Sequence, residues 1–203
     1  MSIVTVDDDL KSLGSCKEYF SEVFFLNEDV RKLAMPSLDD SRFDERDNFF
    51  GGKKLKYFNP STKEYEYADL PGHCFDVPYV DERIADSRAL IAMDSFLTKA
   101  GCGRTKEIQI DIFALSHKDF IRMDEEEKAF YTAKGYAGNR VDMMVSAIEL
   151  AMKYAECTKD FGIGRIFFKP ENPITLFDQD KQFYGKKISL LCSDFFIKPK
   201  NLR

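Results

Sequence analysis

The sharpest alternation of apolar and polar positions falls between His73 and Tyr136. In EIQIDIFAL, Ile108, Ile110, Ile112 and Ala114 fall on one side, the two-residue period of a strand with one buried face. Upstream, Ala85, Ala89, Ala92, Met93, Phe96, Leu97 and Ala100 recur at three- and four-residue spacing, which predicts one helix over 81–100. Asp81 would cap its start, and Gly101 stands where a left-handed C-terminal residue belongs. HCFDV before it reads as a short strand closed by Pro78. Strand, helix and strand in this order predict a parallel pair joined by a right-handed crossover. HKDFIRMDEEEKAFYTAKGY then reads as a further helix, with Ser116 as N-cap and His117 in its first turn.

The flanks add elements of both kinds. SIVTV is a β-prone start, and DDDLKSLGSCKEYFSEVFFLNEDVRKLAMP predicts two short helices, with Asp7–Asp9 at the positive end of the first. SLDDSRFDERDN is charged and aperiodic, which marks a solvated loop. KKLKYF, NPST and KEYEYADL form a hairpin signal, with Tyr65 and Tyr67 on one face of the second strand and Glu64 and Glu66 on the other. Val141, Met144, Val145, Ile148, Ala151, Met152 and Ala155 share one helical face, and GRIFFKP and KKISLLCSDFFIKPK read as closing strands. The sum is an α/β protein, a single domain over 1–203, with a mixed central sheet and helices on both faces.

Composition narrows the function classes. A chain of 203 residues with 32% charged and 44% hydrophobic residues suits one folded core, and 19 Phe with no Trp make Phe its main filler. A net charge of −5 argues against a large nucleic-acid footprint. Five cysteines without a CxxC pair point to reduced thiols and a cytoplasmic location. MSIVTVDDDLK has no signal-peptide character, and no apolar run reaches the roughly 18 residues a membrane span needs. His73 and Cys74 are adjacent, but no second cluster shows metal-ligand spacing.

From Ser2 to Tyr136 the order of elements resembles the GNAT N-acetyltransferase fold. VPYVDERIADSRAL sits where that family places a strand end, a phosphate loop and the helix behind it, and EEEKAFYTAKGY resembles its short helix ending in aromatics and Gly. The resemblance implies that Val77 and Tyr79 hold an acyl-pantetheine arm and that Arg83, Ile84, Ala85 and Asp86 hold the phosphates of acetyl-CoA or another acyl-CoA. The family's first loop glycine is replaced by Arg83, Ala85 fits the later Gly-or-Ala position, and Asp81 and Glu82 lie where an anion would dock. A later stretch, AGNRVDMMVSAIELAMKYAE through ITLFDQDKQFYGKK, resembles the same motif with Gly138, Arg140 and Tyr184 in those places.

The implied chemistry moves an acyl group from acyl-CoA to an amine, on a small molecule or a protein. Tyr131 aligns with the family's proton donor to the departing thiolate, and His73 is the tentative base for the amine. Asp76, Glu64 and Glu66 are alternative bases. The other reading is a non-enzymatic protein-interaction module on an α/β scaffold, with Phe43, Phe49, Phe50, Tyr65 and Tyr67 as a candidate binding face.

Overall fold

The computed structural model describes residues 6–36, 40–51, 53–77, 89–99, 107–157, 166–168, 174–178 and 182–193. Its spine is three long antiparallel strands: β4 (Ala89–Lys99), β5 (Glu107–His117) and β8 (Phe183–Ser193). The short β3 (Cys74–Phe75) lies parallel to β4, so the sheet is mixed. β6 (Ile166–Phe168) and β7 (Ile174–Asp178) both pair with β8 on the edge away from β5. A separate two-stranded sheet is formed by β1 (Lys53–Asn59) and β2 (Glu64–Leu70).

Alternation along the strands decides what packs where. Ile91 and Met93 of β4, Ile108, Ile110, Ile112 and Ala114 of β5, and Ile188, Leu190 and Cys192 of β8 point to one side. They share one core with α1 (Val6–Leu26), α2 (Glu28–Ala34) and α5 (Arg140–Cys157), through Phe20, Phe24, Leu33, Met144 and Ile148. Phe49 of α3 (Glu45–Phe50) and Tyr131 of α4 (Glu125–Ala133) belong to the same core. A smaller cluster of Leu90, Ala92 and Phe183 lies on the opposite side of the sheet. Helices on both faces were expected; among the described residues, every buried helix residue in a cluster joins the one core.

The largest correction concerns residues 81–100. The described part of that stretch is strand, not helix. Ala89 to Met93 is continuously apolar and buried throughout, a run that fits a helix and a doubly covered strand equally well. Pairing along the length of β5 then overrides the helical preference of its alanines. Phe96, expected to pack on the sheet, sits on the other side of the strand and is 45% exposed. The parallel neighbour of the HCFDV segment is β4, and β5 runs antiparallel to β4. Ser116 and His117 end β5 instead of starting a helix. The cap of α4 is Asp124, whose carboxylate accepts from Glu127 N at 2.7 Å. The N-terminal helical region is one long helix followed by a short one, capped by Asn27 through Val30 N at 3.0 Å. Residues 2–5 of the SIVTV expectation lie outside the described residues, and α1 begins at its final Val6. No described helix is long and apolar enough to cross a membrane.

Candidate binding face

The β1–β2 hairpin follows from local chemistry. Asn59 makes the turn: its side chain accepts from Ser61 N at 2.9 Å and its carbonyl accepts from Lys63 N at 2.8 Å. Lys63 closes the turn in the left-handed region, at φ 59°. The register that results pairs Phe58 with Tyr65, Lys56 with Tyr67 and Lys54 with Asp69. Because strand side chains alternate, these six residues share one side, and all six are exposed.

That outer face carries three large rings in the open. Phe58 is 52%, Tyr65 65% and Tyr67 67% exposed. Phe58 and Tyr65 meet edge to face at 5.5 Å, and Lys56 Nζ lies 4.4 Å from the Tyr65 ring centre. Lys54 and Asp69 face each other at 3.9 Å with both side chains mostly in solvent, so the attraction is small.

The inner face is tied down. Glu66 accepts from Tyr57 Oη at 2.7 Å, Asn59 Nδ2 at 2.8 Å and Thr62 Oγ1 at 2.9 Å, and these bonds lower its pKa, the Tyr57 bond most. The same bond raises the pKa of Tyr57. Tyr57 also meets Phe43 edge to face and lies 4.0 Å under the Arg42 guanidinium. Ala68 and Leu70 are buried. At the base, the chain enters past Gly51 and leaves through Gly72, whose backbones cross so closely that a Cβ on Gly51 would sit 2.1 Å from Gly72 Cα. Both glycines have positive φ, 21° and 79°. The hairpin is therefore held from below and open above.

The residues proposed for acyl transfer fare differently. His73 is fully buried, and its Nδ1 lies 2.6 Å from the Ala89 carbonyl oxygen. With its backbone N–H donated to Phe49 O at 2.8 Å, it is a strut between α3, β3 and β4 rather than a base open to substrate. Tyr131 is 2% exposed and packs edge to face on Phe130 and Tyr136. Burial, and then the nearby Glu127, push its phenol well above the ordinary tyrosine range. Val77 is exposed just after β3, while Tyr79, Arg83, Ile84, Ala85 and Asp86 lie outside the described residues. Arg140, of the later GNAT-like stretch, is 3% exposed and committed inward. It donates to Phe120 O at 2.8 Å and pairs with Glu127 at 2.6 Å. Of the alternative bases, Glu66 is occupied as described, and Asp76 contributes its backbone oxygen to Lys17.

Among the described residues, clefts lie elsewhere. One, of about 380 Å³, lies between α1, α3 and β3, where the Arg46–Glu22 ion pair and Asp47 accompany Cys74. Burial pushes the Cys74 thiol up to about 12, so it stays protonated and is a poor nucleophile. The other, of about 530 Å³, has Met35, Pro36, Phe130 and Tyr131 as apolar wall and Asp124, Glu126 and Glu127 along its acidic side. In it Glu127 is already paired with Arg140, and Asp124 already caps α4.

Sequence reasoning found Tyr65 and Tyr67 but missed Phe58, Lys54 and Lys56, whose side of the hairpin depends on the register. Of the other aromatics named for a binding face, Phe49 is buried against Phe25 and Phe50, and Phe43 sits beneath the hairpin on Tyr57. Residues 30–192 match the model of one protein family, YomW. No curated protein matches the chain.

Proposed function

The chain belongs to the YomW family, and we propose that it is a non-enzymatic protein-interaction module that docks its partner on the outer face of the β1–β2 hairpin. One observation carries this reading: Phe58, Tyr65 and Tyr67 stand together on one side of a hairpin, each more than half exposed. Exposed rings on a face whose other members are Lys54, Lys56 and Asp69 gain little from folding. Covering them removes on the order of 300 Å² from water, worth about 7 kcal/mol before the costs of association. Anchored backbone below and free aromatics above are what a preformed docking surface requires.

The test is affinity capture with the full chain and with the Tyr65→Ser/Tyr67→Ser variant, from cells that make the protein. A partner bound in stoichiometric amount by the former and lost with the latter supports the module. Equal recovery with both overturns it. The competing proposal is the GNAT-like transfer from acyl-CoA to an amine, with Tyr131 as acid and His73 as base. A thermal-shift titration with acetyl-CoA and CoA separates the two. Ligand at a hundred times its dissociation constant would stabilise the protein by about 2.7 kcal/mol, and such a shift would favour the transferase over the module.

A further inference from the structure

Building on the docking face just described, we propose that its occupant is an extended, acidic segment of a partner protein that seats along β1. The hairpin joins two strands of opposite charge: KKLKYFN carries lysines and no acid, and EYEYADL carries acids and no base. Among the described residues each strand pairs only with the other, and no other described strand covers the far edge of β1. Along it Lys54, Lys56 and Phe58 follow one another at two-residue spacing on the outer face. Lys56 has no carboxylate partner among the described residues, and the Asp69 facing Lys54 is 3.9 Å away in solvent.

Charge then selects among occupants. Directly opposed like charges destabilise strand pairs, which disfavours β1 against β1 and β2 against β2 of a second copy. Lysines along an open edge also discourage neutral strands. On its other side β1 already faces one carboxylate and two rings along this face, with Asp69 opposite Lys54, Tyr67 opposite Lys56 and Tyr65 opposite Phe58. A partner segment with acids at two alternate positions and an apolar residue at the next, spaced as Glu64, Glu66 and Ala68 are in β2, would place carboxylates beside Lys54 and Lys56 and an apolar side chain beside Phe58. Its backbone would bond to the β1 edge. Tyr65 and Tyr67 form the adjoining shelf for the body of the partner.

The test uses the full chain, nitrogen-15 labelled, and three probes: a peptide with the sequence of residues 64–70, the same peptide with each acid replaced by lysine, and an oligothymidylate. The acidic peptide is expected to bind, with amide shifts centred on 53–59. Lys54→Glu/Lys56→Glu should weaken it about tenfold, as should raising salt from about 0.05 to 0.5 M. Equal binding of the lysine peptide overturns the charge argument. Binding of the oligothymidylate in place of the acidic peptide assigns the face to single-stranded nucleic acid. A salt-sensitive polymer of the unliganded chain in sedimentation assigns the edge to β2 of a second copy. If capture of a partner still depends on Tyr65 and Tyr67 while no acidic peptide binds, the docking face stands and this inference falls. Peptide shifts lying wholly outside residues 53–70 overturn both.

Discussion

Replacing Asp111 by alanine should cost about 2–3 kcal/mol, although the residue lies far from any proposed chemistry. Asp111 is 4% exposed at the centre of β5, on the side of the sheet away from the main core. Its carboxylate accepts from Lys187 Nζ at 2.6 Å, Ser189 Oγ at 2.6 Å and Gln109 Nε2 at 2.9 Å. Breaking a fully buried ion pair costs about 3–5 kcal/mol because the abandoned charge stays desolvated. Lys187 keeps 26% of its side chain in solvent and recovers part of its hydration, which lowers the figure. For a domain of this size the loss corresponds to a fall in Tm of roughly 5–10 °C. Asp111→Asn/Lys187→Met removes both charges and should cost less than Asp111→Ala alone. Denaturant titration of the single and double variants gives the coupling directly. A cost below about 0.5 kcal/mol for Asp111→Ala, or no coupling to Lys187, would refute the register that pairs β5 with β8.

Burial alone would raise the Asp111 carboxyl, but the bonds from Lys187, Ser189 and Gln109 outweigh it and leave the pKa below the ordinary aspartate value. Its contribution to stability is therefore fully present above about pH 4 and lost as pH falls through the lower folded value, which acid titration of wild type against Asp111→Asn will show. Gly51→Ala should destabilise by more than about 2 kcal/mol in chemical denaturation, since its Cβ would meet Gly72 Cα at 2.1 Å. Cys16, Cys74 and Cys192 are buried thiols outside any disulfide, so they should resist alkylation in the native state and react on unfolding. Tyr65→Ser/Tyr67→Ser should change stability by no more than about 0.5 kcal/mol per site, because both rings are already in water.

The elements legible in the sequence are those whose period is unambiguous. β5 alternates cleanly, α5 carries a full apolar stripe, and the hairpin is bounded by a strong turn. β4 was illegible because Ala89 to Met93 is apolar on both sides of the strand and without a period, so its state is decided by the strands beside it. The charged stretch before the hairpin hid α3, whose cap Asp44 accepts from Asp47 N at 2.7 Å, because one short helix leaves no apolar period. Asn48, buried at its centre, holds the preceding loop through Asp40 and Asp44 carbonyls at 3.0 Å each. The proposed docking face was half visible. Alternation put Tyr65 and Tyr67 together, but only the register shows that Phe58 and Lys56 join them. His73 drew attention as a titratable residue before the short strand and Tyr131 through the GNAT-like stretch, and neither signal reveals that both are enclosed.

Site-specific photo-crosslinking tests the docking face most directly. A photoreactive phenylalanine is placed at position 67, on the hairpin, and in a second protein at position 150, where Leu150 of α5 is 54% exposed. Irradiation in the cells that make the protein should give one discrete protein adduct from position 67 and none from position 150. Adducts of equal yield from both positions, or none from position 67 while a partner is still captured, would contradict the account.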